Sequence, residues 1–287
     1  MSLDAMEMYK SYLQIQPMSI HTRRNYLQRV NGFLNWLDAS FDGAPTLIDP
    51  NEVHSQLRDY KAFLQARGAS ASTINGVLSA VDNFSKSRGI ESARVKRLEL
   101  PLLIDEALDI DEEKRLIKSL LRNTLRNRAL VLLLWHCGLR ISEAASLNVA
   151  DVNLSSDKCQ IRVHRGKRAK ERMVPSSAQL KYCLQLYISK QKYLSDNEPL
   201  FVSQKGSRLS IASIDRIVRQ IGQIANVELS AGRLRYDFVN RLIRAKINIV
   251  MVAELCGHAK LESVRRYSQM ERALSCNLET QTGDGRE

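Results

Sequence analysis

The sequence predicts a mainly α-helical fold with a small β-sheet (α+β), in which an all-helical N-terminal domain precedes a larger C-terminal one. Three observations carry this expectation. Apolar residues recur at helical spacing through the first hundred residues and again through most of the rest of the chain. A single region, 157–173, alternates like strands around a polar turn. Between the helical regions, residues 92–108 lose any clear period and read as a linker.

The elements follow in order. Tyr9 and Leu13 sit one helical turn apart, and Tyr26, Val30, Phe33, Leu34 and Leu37 form a longer stripe over 23–37. Either Ser19 or Thr22 is placed to cap that helix. Asp42-Gly43-Ala44-Pro45 is a turn. Val53, Leu57, Tyr60 and Leu64 mark a third helix ended by Gly68, and Ile74, Val77, Leu78 and Val81 a fourth over 72–84. Four such helices make a small helical unit, residues 1–100. Beyond the linker, the acidic Asp109–Asp111 start suits a helix N-terminus, with the helix covering 113–121. The near-continuous apolar run of 126–137 is a buried helix, and Gly138 is a good residue to end it. Cys159–Val163 and Arg172–Val174 form a hairpin around Gly166-Lys167-Arg168-Ala169-Lys170. Helices are expected over 177–193, 211–224, 234–244 and 249–256, and the polar tail 280–287 is expected to be mobile.

Composition narrows the function. The 287 residues are 44% apolar with a net charge of +12. Residues 1–100 hold 12 Lys/Arg against 10 Asp/Glu, and the remainder 31 against 21. The basic excess of the second part points to a polyanionic partner, most often nucleic acid. The longest apolar run, Ala129–Trp135, is too short to span a bilayer, and no secretory signal is visible, so no membrane partner is expected. Five scattered cysteines without a Cys-x-x-Cys pair read as reduced thiols of a cytoplasmic protein. No His/Cys/Asp cluster has metal-ligand spacing, so no metal and no cofactor are expected.

The residues suited to chemistry are few. Arg140, in Gly138-Leu139-Arg140-Ile141-Ser142-Glu143, follows a helix-ending glycine and opens a new helical pattern. A guanidinium there suits the charge that builds up on a phosphodiester under attack, and Glu143, one turn on, can hold it in place. Arg235, in Leu234-Arg235-Tyr236, lies on another helix. His258 follows Gly257 at a helix end, and Tyr267 stands in the polar run Arg265-Arg266-Tyr267. A tyrosine so placed can act as a nucleophile and conserve the bond energy of a cut strand as a phosphotyrosine. Between 158 and 172, seven basic residues (Lys158, Arg162, Arg165, Lys167, Arg168, Lys170 and Arg172) face one acid, Glu171. They form a surface for gripping DNA phosphates. Lys167 at the hairpin tip serves either in that grip or as a general acid.

The Arg140, Lys167, Arg235, His258 and Tyr267 set, with 23 residues from Arg235 to His258 and nine from His258 to Tyr267, resembles the tyrosine recombinase (phage integrase) family. Gly166-Lys167-x-x-Lys170-Glu171-Arg172-x-Val174-Pro175 looks like that family's hairpin. The resemblance implies a helical core-binding, DNA-clamping domain at 1–100 and a catalytic domain with C-terminal tail at 108–287. It implies Tyr267 as nucleophile, Lys167 as general acid, Arg140 and Arg235 on the scissile phosphate, His258 and Glu143 in support, and Arg162, Arg165, Arg168, Lys170, Arg172 and Arg233 on DNA. The activity implied is site-specific strand exchange through a 3′-phosphotyrosine and a Holliday junction, by four protomers on double-stranded recombination sites, with or without accessory subunits. Met270 onward, with Leu274 and Leu278, is placed to dock on a neighbouring protomer. Without a large extra N-terminal arm-binding domain, the chain is expected to be a simple recombinase of the prokaryotic cytoplasm and nucleoid: a transposon-encoded or Xer-like resolvase, or a compact integrase.

Two positions depart from the family pattern. Gly232 stands where histidine or lysine is usual, and Tyr236 where histidine is frequent. Glycine can neither accept a proton nor bond a phosphate. The group that deprotonates Tyr267 is then His258, a water or no strong base, with Arg233 placed to fill the space. A catalytically weak DNA-binding regulator and a type IB topoisomerase-like nicking enzyme are the rival readings.

Overall fold

A computed structural model describes residues 2–40, 50–90, 95–100, 107–154, 159–164, 171–191 and 195–257, the side chains of 2–4, 50 and 51 excepted. The turn at 42–45, the hairpin residues Arg165, Lys167, Arg168 and Lys170, the residues His258 and Tyr267, Cys276, and the segment from Met270 to the tail lie outside the described residues. The chain divides into two compact units, residues 1–103 and 104–287.

The first unit is four helices: α1 (Ser2–Ile15), α2 (Ile20–Ser40), α3 (Pro50–Ala66) and α4 (Ala71–Ser87). The stripe predicted for α2 is the one that packs, with Val30, Phe33, Leu34 and Leu37 buried. Ser19 rather than Thr22 caps α2, its hydroxyl accepting the Thr22 N–H at 3.1 Å. Ser70 does the same for α4 through the Thr73 N–H. Residues 95–98 pack on this unit. The Asn75 carboxamide donates to Leu98 O and accepts from Leu98 N, both at 2.8 Å, and Val95 and Leu98 pack on the unit's core.

The second unit opens with α5 (Ile110–Leu121). Asp109 Oδ1 accepts the Asp111 and Glu112 N–H groups, and Glu112 Oε2 accepts the Asp109 N–H, so the helix start is closed reciprocally. α6 (Leu125–Cys137) is buried almost all round and runs through the core. It ends at Gly138, whose φ of +58° is the left-handed conformation glycine tolerates. The short α7 (Ile141–Ser146), a 3₁₀ turn (Val149–Asp151) and a three-stranded antiparallel sheet follow, in the order β1 (Val152–Asn153), β2 (Gln160–Val163), β3 (Arg172–Pro175). Ile161 pairs with Val174 and Val163 with Arg172. The predicted hairpin is present, and β1 extends it by a strand. α8 (Ala178–Ser189), α9 (Ile211–Ala225), α10 (Ala231–Arg244) and α11 (Ile249–Cys256) complete the unit. α10 is fixed through Asp237, which accepts hydrogen bonds from Trp135 Nε1 at 2.7 Å and Leu108 N at 3.1 Å. Among the described residues no helix is long and apolar enough to cross a membrane, and the four described cysteines are free.

Candidate active site

The site is assembled where four element ends meet: the end of α6, the start of α7, the start of β3 and the end of α11. Gly138 turns the chain out of α6, and two residues later Arg140 is the first, extended residue before α7. Glu143 lies one turn into α7 and reaches back, its Oε2 accepting the Arg140 N–H at 2.8 Å. Its Oε1 accepts Arg140 Nη1 at 3.0 Å. Arg172, on β3, closes the carboxylate from the other side with two parallel bonds, Nη1 to Oε1 at 2.9 Å and Nη2 to Oε2 at 2.8 Å. Such a fork is the strongest geometry between these groups. The Glu143 and Arg172 side chains are only 10% and 9% exposed. Burial alone would raise the Glu143 pKa, but the Arg172 bonds, the Arg140 N–H and both guanidinium charges outweigh it and hold the carboxyl below its ordinary value.

Arg235 comes from α10, which Ser230 caps by accepting the Arg233 N–H. Its side chain is 10% exposed and lies 4.0 Å from Glu143 Oε2. Its Nη1 donates to Gly138 O and its Nη2 to Cys256 O, the latter at 2.6 Å. Arg140 Nη1 reaches the same Cys256 oxygen at 3.4 Å, and its Nη2 reaches Gly257 O at 3.1 Å. Arg172 Nε takes Leu255 O at 2.7 Å. Three guanidiniums thus cover the last carbonyls of α11, the negative end of that helix. Among the described residues they surround a single carboxylate, and Arg140, 42% exposed, is the one open to solvent. Cys256 lies within this cluster. Burial raises its thiol pKa, the nearby arginines oppose the rise, and burial prevails.

The structure brings together Arg140, Glu143 and Arg235 and adds Arg172 to them. Arg172 was expected to grip DNA; its guanidinium is instead spent on Glu143 and Leu255 O. Strand alternation signals this, since Arg172 shares the inward face of β3 with buried Val174, while Met173 points out. Arg162 points outward from β2 between buried Ile161 and Val163, as a DNA contact requires. Arg233 does not stand in for the residue missing at Gly232. Its guanidinium pairs with Glu112 Oε1 and Oε2 at 3.0 and 2.7 Å and with Glu228 O at 2.8 Å, which pins α10 to α5. Gly232 itself is exposed on the first turn of α10, and Tyr236 is buried. His258 directly follows Gly257, whose carbonyl Arg140 holds.

Two arginines converging on one oxygen, beside a carboxylate that orients them, define a site for an anionic, phosphate-like group. The comparisons with known proteins agree. Residues 106–273 match the phage integrase family model and residues 6–87 that of its N-terminal SAM-like domain. The chain belongs to the phage integrase family, the tyrosine recombinases, enzymes of site-specific DNA recombination. Within that family it is similar to the tyrosine recombinase XerA of Thermococcus kodakarensis, 31% identical over 272 residues covering 93% of this chain and 91% of the relative. It is also similar to XerC of Vibrio cholerae, 27% identical over 285 residues covering 93% and 88%. The fold matches a crystal structure of the XerH recombinase bound to palindromic difH substrate (TM-score 0.71, 21% identity, 92% of this chain and 80% of that one). It also matches the Tn1549 transposon integrase in complex with circular intermediate DNA (TM-score 0.71, 16% identity, 94% and 99%).

Proposed function

We propose that this recombinase cuts one strand of a specific duplex site with Tyr267, in a step that uses only its own side chains. The phenolate oxygen attacks the scissile phosphorus, a P–O bond to the tyrosine forms, and the P–O5′ bond breaks. The departing 5′ oxygen takes its proton from Lys167. Arg140 and Arg235 bear the charge that develops on the non-bridging oxygens, and His258 supports them. The product is a 3′-phosphotyrosine and a free 5′ hydroxyl. The 5′ hydroxyl of a partner duplex then reverses the step, and two such exchanges pass through a Holliday junction. Double-stranded DNA is the partner, four protomers assemble on two sites, and the reaction takes place in the cytoplasm, at the nucleoid.

The observation that carries this reading is the meeting of Arg140 and Arg235 at Cys256 O. Two guanidiniums that share one carbonyl oxygen lie close enough to share one phosphate. The test is a nicked suicide duplex, which traps the covalent adduct. Wild-type protein should give an adduct that vanishes in Tyr267→Phe while DNA binding persists. Binding with no adduct in the wild type would instead establish the regulator that Gly232 favours. Junctions formed between two duplexes would separate recombination from simple nicking and relaxation.

A further inference from the structure

The β2–β3 ladder runs in register as far as Val163 opposite Arg172. The next pair outward is His164 and Glu171, and it is bridged: His164 Nδ1 lies 2.8 Å from Glu171 Oε1. The other ring nitrogen, Nε2, lies 2.5 Å from Asp151 Oδ1 on the 3₁₀ turn. Asp151 is 4% exposed, and its second oxygen accepts the Asn148 N–H at 2.8 Å. An ionised carboxylate only accepts hydrogen bonds, so a ring with a carboxylate at each nitrogen carries both protons and is an imidazolium. The Asp151 bond is the main cause that raises the His164 pKa; burial opposes it, and the Glu171 bond and both carboxylate charges add to it. Among the described residues, those two carboxylates, one from the 3₁₀ turn and one from the residue just before β3, are the charged groups facing the ring. The nitrogen–oxygen distances are those of direct hydrogen bonds and leave no room for a cation between ring and carboxylates.

This brace joins the two residues that flank 165–170 in the chain. Lys167 is three residues past His164 and four before Glu171. On the far side, Glu171 is followed at once by Arg172, which is fixed on Glu143. A general acid must come within hydrogen-bond reach of the oxygen it protonates. A lysine on a long flexible stem depends for that on where its turn is anchored.

We infer that His164 is a positioning residue for strand cleavage. Held between Asp151 and Glu171, it fixes the root of the β2–β3 hairpin and so the approach of Lys167 to the leaving 5′ oxygen. The inference rests on the proposed role of Lys167 as general acid. The test compares suicide duplexes carrying either the natural 5′ oxygen or a bridging 5′ sulfur at the cleavage point. Sulfur leaves as a thiolate and needs no acid. His164→Ala should slow adduct formation by about tenfold or more on the oxygen substrate, within the roughly 10²–10⁴ that general acid catalysis contributes. It should recover nearly the wild-type rate on sulfur, as Lys167→Ala does. His164→Arg, which restores a cation with donors for both carboxylates, should recover most of the rate on oxygen. Thermal melts and gel shifts verify folding and DNA binding; should His164→Ala not fold, Glu171→Gln enters the same comparison. A variant as fast as wild type on oxygen, or slowed equally on both substrates while Lys167→Ala is rescued, overturns the inference alone. Lys167→Ala slowed equally on both overturns the general-acid role and the inference with it.

Discussion

At the scale of single residues, five arginines of one chemical type have three different tasks, and their hydrogen-bond partners sort them. Arg140 and Arg235 meet at one oxygen, Arg172 and Arg233 are paired to carboxylates, and Arg162 faces solvent. Arg162→Ala should therefore weaken DNA binding and lower the slope of log affinity against log salt by about one, read by titration at several salt concentrations. Arg172→Ala should instead lower folding stability by about 3 kcal/mol, because it takes two of the four hydrogen bonds from a buried carboxylate, and a denaturant melt reads that loss. Arg235→Lys keeps the charge but cannot span Gly138 O and Cys256 O with one planar group. Adduct formation should fall by roughly 10²–10³ with little change in binding. The order and spacing of Arg140, Arg235, His258 and Tyr267 announced the family. Glu143 as a partner of Arg140 was legible one helical turn away; the carbonyls that the arginines hold in the free protein were not, because those of Arg140 lie 116 and 117 residues further along the chain. Counting charges also placed Arg172 on DNA, since a count ignores which face of a strand a side chain occupies.

At the scale of elements, periodicity was a good guide wherever an element was long. The stripes on α2 and α4 were read residue by residue, as was the all-round apolar α6. Two residues cannot display a period, so β1 was invisible, and α7 was seen only as a helix start at Arg140. The junction between α6 and α7 carries the strictest demand. Gly138 has a φ of +58°, and an added Cβ would lie 2.2 Å from Phe238 Cδ1. Its carbonyl also receives Arg235. Gly138→Ala should cost about 2–4 kcal/mol, from backbone strain together with overpacking, and should reduce adduct formation by moving that carbonyl. The cost should be smaller in a Phe238→Ala background, where the overlap is gone and the strain remains. Equal costs in the two backgrounds, measured by chemical denaturation, would show that packing against Phe238 plays no part.

At the scale of the whole molecule, two histidines of the second unit set opposite pH dependences on its stability. His136 ends α6 beside Trp135, its Nδ1 2.6 Å from Ser177 Oγ. Ser177 already accepts the Leu180 N–H, so its hydroxyl proton is available to a neutral His136 ring. Burial first, and the Arg241 charge second, lower the His136 pKa from 6.5 to about 4. Between those values the unfolded chain binds a proton that the folded one refuses, so stability falls as pH drops from 6.5 to about 4. The full effect is on the order of 3 kcal/mol. His164 has a raised pKa, so its contribution is complete below the ordinary histidine value and is lost as pH rises through the raised one. Half-exposed, it contributes the smaller share. Denaturant melts at pH 7 and pH 5 separate the two. In His136→Asn, whose carbonyl can still accept the Ser177 proton, the loss of stability at pH 5 should largely disappear. In His164→Ala that loss should grow, because the opposing contribution is gone. If the acid loss persists unchanged in His136→Asn, the ring is not the neutral, partly buried group that its partner and surroundings require.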